Sequence, residues 1–159
     1  AEAVEAFASR AVDAMVAFSP YTFQARQKLG AAILSWPLQE KQFYYFLIIS
    51  KSDFLKAHPR ATERFLKALL EAEKFVSEHR AEAQSILMRR LNLNDAYASS
   101  IWSQQVYDVR LDQHLLRLME DQAKWLLKRK REQGIPNYLK YIDWRPLEKI
   151  KPDAVGLIH

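Results

Sequence analysis

A run of bulky apolar residues, FYYFLIIS at residues 43–50, constrains the fold of this chain more than any other stretch. It is rich in aromatic and β-branched residues, and its apolar positions do not alternate with polar ones. Both features predict a β-strand that is buried on its two faces. Seven continuous apolar residues, Phe43 to Ile49, fall far short of the ~20 that are needed to cross a bilayer. The run therefore predicts a strand inside an α/β domain.

A second apolar run, Val12 to Phe18, also predicts a short buried strand. Two strands cannot make an independently stable sheet, because such a sheet buries too little apolar surface. The remaining strands of the sheet must then come from elsewhere. We therefore expect the chain to be part of a larger α/β domain.

The rest of the chain has helical spacing, with polar residues at the expected helix starts and Gly or Pro near the ends. This pattern predicts helices over Ala1–Arg10, from Pro20 to about Leu29 with Gly30 as C-cap, from Pro59 with a break near His79, from Asn94 as N-cap, from Asp112 as N-cap, and near Pro146.

Charge indicates little about partners. The chain has 24 Lys and Arg against 19 Asp and Glu, a net charge of +5. Much of the excess lies in KWLLKRKRE, residues 124–132. Such a cluster can bind nucleic acid or anionic lipid, but basic residues near a helix C-terminus are more often a solvated face that the helix dipole favours. We therefore expect no nucleic-acid partner.

The residue types that carry most chemistry are missing or badly spaced. There is no cysteine, which excludes disulfides and thiolate chemistry, and three glycines cannot build a Gly-rich phosphate loop. The four histidines lack metal-ligand spacing, and Ser19 lacks the G-x-S-x-G setting of a nucleophile elbow. The sequence predicts no enzyme, no catalytic residue, no metal and no cofactor.

The best candidate for a ligand site is the corner formed by Phe18, Ser19 and Tyr21. It lies where a predicted strand ends and a helix begins, which is where open α/β sheets bind ligands, and a helix N-terminus offers N–H groups to an anion. Phe18 would supply an apolar wall, Ser19 a hydrogen bond, and Tyr21 a ring face or hydroxyl. The alternative is an ordinary turn in which all three side chains pack in the corner.

Five segments resemble, in order, the nitrate/sulfonate/taurine type of periplasmic substrate-binding protein of ABC transporters, a group that includes thiamine-precursor binding proteins. VDAMVAFSPYTFQARQKLG is similar to the family's VDA…WEPY segment, and LIISKSDFLKAHPRATERFLKALLEAEKFV looks like the return into the first lobe and its long helix. The other three segments, which resemble the closing helices and tail, are AEAQSILMRRLNLN, VRLDQHLLRLMEDQAKW and PNYLKYIDWRPLEKIKPDAVGLI.

The resemblance implies a fold and a division of the chain. Family members have two α/β lobes joined by a hinge, and ligand binds between the lobes. The expected fold class is α/β and helix-rich, the C-terminal half of a two-lobed type II periplasmic-binding-protein fold. Residues 1–41 would end the second lobe as helix, strand and helix. Residues 42–159 would return to the first lobe as a strand, helices and a C-terminal tail.

The resemblance also implies a function. The chain would bind a small-molecule ligand and deliver it to an ABC permease, in the periplasm or anchored outside the membrane, with its targeting segment not among these residues. The family's Trp-Glu is Phe18-Ser19 here, and a neutral hydroxyl suits an anionic or uncharged ligand. An alternative with the same fold is an extracytoplasmic ligand-sensing domain of a signalling protein. The missing sheet partners further predict a homo-oligomer with a swapped element.

Overall fold

The computed structural model describes residues 2–37, 44–102, 105–129 and 134–158. Within these ranges the regular structure is helical, apart from one short parallel β-ladder. The α-helices are α1 (Glu2–Ala8), α2 (Tyr21–Leu29), α3 (Ser52–Ala57), α4 (Pro59–Glu78), α5 (Arg80–Leu91), α6 (Asp95–Trp102), α7 (Gln113–Lys128) and α8 (Arg145–Ile150). The strands are β1 (Leu111–Asp112) and β2 (Val155–Gly156), and short 3-10 helices span Gly30–Ala32, Tyr138–Tyr141 and Pro152–Ala154.

The chain divides into two structural units. The first unit comprises residues 1–43 and 81–106, and helices α1, α2 and α6 lie within it. Helix α1 packs on α2, while the Phe23 ring of α2 lies 5.2 Å from the Tyr97 ring of α6. The core side chains of this unit are Val4, Ala25, Ala83, Ala98 and Trp102.

The second unit comprises residues 44–80 and 107–159. Helix α8 packs on α4, and the amphipathic helix α7 turns its apolar side inward. Strands β1 and β2 pair in parallel, with Leu111 opposite Val155 and Asp112 opposite Gly156. The core side chains are Leu115, Leu116, Ala123, Leu147, Ala154 and Leu157. Whether the two units correspond to the lobes expected for residues 1–41 and 42–159 stays a prediction.

The predicted helix ends are confirmed where local chemistry specifies them. The Asp112 carboxylate accepts the Leu115 N–H at 3.1 Å and caps α7, and the Asn94 side chain accepts the Tyr97 N–H at 2.8 Å and caps α6. Gly30 ends α2 with a φ of 54°, a conformation that only glycine adopts readily. These ends were predictable because a cap depends only on residues three or four positions away.

The strand predicted at residues 43–50 is wrong over the described residues 44–50, which form no strand; Phe43 lies outside the described residues. The segment is not buried either, since Phe46 and Ile49 are 91% and 88% exposed. A strand needs neighbours for its backbone N–H and C=O groups and a layer to cover its side chains. The described residues supply neither to most of this segment.

The strand predicted over Val12–Phe18 is also wrong: residues 11–13 bend and residues 14–18 have no regular structure. Val16 is 82% exposed. The cause is again the lack of a pairing partner within the described part of the chain. The ladder that does form, between β1 and β2, is two residues long on each side and gave no signal in the sequence.

Among the described residues, no helix has both the length and the apolar character needed to cross a membrane.

Candidate functional site

The corner before α2 is a tight turn that closes on its own backbone. The N–H groups of Tyr21 and Thr22 both donate to the Phe18 carbonyl, at 3.0 and 3.4 Å, and the Gln24 N–H donates to the Pro20 carbonyl at 3.1 Å. Pro20 occupies the N-cap position of α2 and follows a cis peptide bond. A proline suits this position because a helix start needs no N–H donor there.

This geometry corrects one expectation about the corner. We expected free N–H groups at the start of α2 that an anion could bind. Tyr21 and Thr22 instead use their N–H groups within the turn, on the Phe18 carbonyl. The backbone here therefore offers less to an anion than the sequence suggests, and the side chains become the main source of contacts for a ligand.

Two aromatic rings form the apolar part of the corner. The rings of Phe18 and Tyr21 lie 6.2 Å apart with an interplanar angle of 77°, the edge-to-face arrangement that aromatic pairs favour. Phe18 is 73% exposed and Tyr21 is 37% exposed. The Phe18 side chain therefore does not pack into the corner, which is what the ordinary-turn alternative required of it. A ligand or another surface could cover this ring.

Two hydroxyl groups form the polar part of the corner. Ser19 Oγ lies 3.4 Å from Thr22 Oγ1, close enough for either to donate to the other, and both residues are half-buried. Each hydroxyl can also donate to, or accept from, a third group. The sequence analysis missed Thr22, although its position three residues after Ser19, at the start of a helix, places it beside Ser19.

The structure thus brings Phe18, Ser19 and Tyr21 into one turn and adds Thr22 to them. Together they present an apolar wall and a pair of neutral hydrogen-bonding groups. Whether these side chains contact a ligand stays a prediction. Over the described ranges, no group of three or more His, Asp and Glu side chains is arranged to hold a metal ion.

Comparison with protein families gave one result that bears on this corner. The family model described as NMT1/THI5 like matches residues 1–83, which is just over half of the 159 residues. The matched range includes the corner and the LIISKSDFLKAHPRATERFLKALLEAEKFV segment. The segments from residue 109 onward lie outside it. No curated protein and no solved structure matched the chain.

Proposed function

The chain belongs to the NMT1/THI5-like family, the family of nitrate/sulfonate/taurine-type substrate-binding proteins, and from this premise we propose that it is part of the solute-binding component of an ABC importer. A solute-binding role in general follows from the family. The importer, the ligand class and the location outside the cytoplasm are the proposal. The family match carries it, because the matched range contains the Phe18–Thr22 corner.

The chemistry of the corner indicates a class of ligand. The exposed Phe18 and Tyr21 rings would cover an apolar or planar part of the ligand. The hydroxyls of Ser19 and Thr22, 3.4 Å apart, would donate to its oxygen or nitrogen atoms. Neither hydroxyl carries a charge that would pair with an ammonium group. We therefore propose a small ligand that is anionic or uncharged, and a role that is not enzymatic.

The proposed mechanism is that of a two-lobed receptor. The chain would supply the C-terminal half of the fold, and the ligand would bind between two lobes that close about a hinge. An ABC permease in the membrane would then recognise the closed form. In this scheme the protein works in the periplasm or is anchored at the outer face of the membrane.

The test begins with the complete protein and the ligand that it retains. Mass spectrometry of the small molecules released on denaturation identifies the ligand, and calorimetry then measures its affinity for wild type and for Ser19→Ala. A lost neutral hydrogen bond of about 1 kcal/mol should weaken binding roughly fivefold. Ser9→Ala is the matched control, because the Ser9 hydroxyl is exposed and bonds only to the Ala6 carbonyl among the described residues.

A Phe18→Ala variant should weaken binding more than Ser19→Ala does, because it removes the apolar wall. Its fold is checked by circular dichroism before the affinity is interpreted. If both variants fold and bind as tightly as wild type, the ligand site lies elsewhere in the protein. If no small molecule is released and none binds, the solute-binding proposal itself fails.

A further inference from the structure

Three chain connections join the residues of the first unit to those of the second, after residues 43, 80 and 106. Two of these connections lead, within the second unit, into one polar cluster. We call it the Lys151 cluster. Its members are Tyr45, Glu73, Asp108, Arg110, Asp112 and Lys151.

Lys151 lies at the centre of the cluster. Its ammonium group donates to Glu73 Oε1 at 2.7 Å, to Asp108 Oδ1 at 3.3 Å and to the Val109 carbonyl at 3.5 Å. Three acceptors match the three protons of the ammonium group. The side chain of Lys151 is 30% exposed. The Lys149–Glu63 pair differs, because its lysine side chain is 69% exposed.

Glu73 completes a second link to the same segment. While Oε1 accepts from Lys151, Oε2 accepts the Val109 N–H at 3.0 Å. Glu73 comes from α4 and Lys151 is the C-cap residue of α8, so two elements hold the backbone of Val109 from both its donor and its acceptor sides. Hydrogen bonds that involve an ionised group are stronger than neutral ones, and partial burial reduces their screening by salt.

The cluster then continues to the other connection. Arg110 donates to Asp108 at 2.6 Å and lies 3.9 Å from Asp112. Asp112 accepts from the Tyr45 hydroxyl at 3.1 Å. Tyr45 is the second residue after the connection at residue 43, and Asp108 is the second residue after the connection at residue 106.

We propose that Lys151 is a positioning residue that anchors residues 107–110 to α4 and, through Arg110 and Asp112, holds them in a fixed arrangement with Tyr45. The ends of two connections would then leave the second unit from one rigid base. If the units move during ligand binding, as the proposed function requires, the bending must occur outside this base. The anchoring itself needs no ligand and can be measured without one.

Amide hydrogen exchange of the Val109 N–H is the direct measurement. Lys151→Met keeps an unbranched side chain but removes the charge, which leaves the Glu73 carboxylate without its cation. We expect the Val109 amide to exchange about tenfold faster, since a lost charge-assisted contact changes local opening by roughly that factor. Lys149→Met is the matched control on the same helix and should change the rate less than twofold. Lys151→Arg keeps the cation and should return the rate to within threefold of wild type.

Equal Val109 exchange in Lys151→Met and Lys149→Met would overturn the proposal, because Lys151 would then be an ordinary surface charge. Faster exchange that Lys151→Arg does not reduce would also overturn it, since bulk rather than charge would be the cause. Should Lys151→Met fail to fold, Lys151→Gln carries the same comparison. Neither result depends on ligand binding, so a failure here leaves the proposed function standing.

Discussion

Tyr45 is a residue whose role changed between sequence and structure. It belongs to a run expected to be a buried strand, yet its hydroxyl donates to the Asp112 carboxylate and its ring lies 6.2 Å from that of His114. Partial burial, and then the hydrogen bond and negative charge of Asp112, raise the pKa of the Tyr45 phenol above its usual 10.0, while Arg110 acts in the opposite direction. The neutral phenol is therefore the form that the folded state favours.

A pH dependence of stability follows. Because the pKa of Tyr45 is raised on folding, its contribution is complete below about pH 10 and is lost as the pH rises through the folded-state value. We expect the urea midpoint of wild type to fall more steeply between pH 9 and about pH 11 than that of Tyr45→Phe. Tyr141→Phe is the control, because Tyr141 is 78% exposed. Parallel curves for wild type and Tyr45→Phe would show that Tyr45 contributes nothing to this dependence.

At the scale of elements, helix caps explain why the sequence predicted helices better than strands. The caps at Asn94 and Asp112 each involve one side chain and one N–H group three residues later. The Asp112 cap differs from the Asn94 cap because its carboxylate also accepts from Tyr45, 67 residues away in sequence. One of these interactions is thus local and the other depends on tertiary structure.

The two caps can be compared by mutation. Asn94→Ala should lower the free energy of unfolding by about 1 kcal/mol, the usual value of an N-cap. Asp112→Ala should lower it by about 2 kcal/mol, because the Tyr45 hydrogen bond is lost as well. Urea unfolding followed by circular dichroism gives both values. Equal losses in the two variants would mean that the Tyr45 contact adds no stability.

The exposed segment at residues 44–50 is the other element with a measurable consequence. Phe46 and Ile49 are 91% and 88% exposed, in an extended segment of strongly β-forming residues. An uncovered segment of this kind favours pairing with another chain. The prediction of a homo-oligomer made from the sequence is therefore best tested through these side chains.

We expect the chain to associate as its concentration rises, and Phe46→Glu with Ile49→Glu to reduce that association. Light scattering over a range of concentrations measures both. Ile158→Glu is the control, since Ile158 is 80% exposed but lies outside the segment. A wild type that stays a compact monomer at high concentration would contradict the prediction.

For the whole molecule, the division into two units groups residues that the sequence separates. Residues 81–106 belong with 1–43, and residues 107–159 belong with 44–80. A two-part reading of the sequence at residue 41 places one boundary close to residue 43. It does not anticipate the later return to the first unit, because that return depends on which helices pack together.

The sequence by itself determined the helices, several of their caps, the family, and the adjacency of Phe18, Ser19 and Tyr21. All of these depend on residues within a few positions of one another, or on the order of segments along the chain. It also suggested two strands that did not form, because a run of apolar residues indicates the tendency to form a strand but not the presence of a partner.

Only the tertiary structure decided which strands pair and which distant charges meet. Leu111 pairs with Val155, and Lys151 reaches Glu73, 78 residues earlier in the chain. Neither contact has a local signal, since each arises from the packing of helices that bring two remote segments together. The physical reason is that caps and helical faces are set by short-range geometry, whereas ladders and charge clusters form only where packing places their partners.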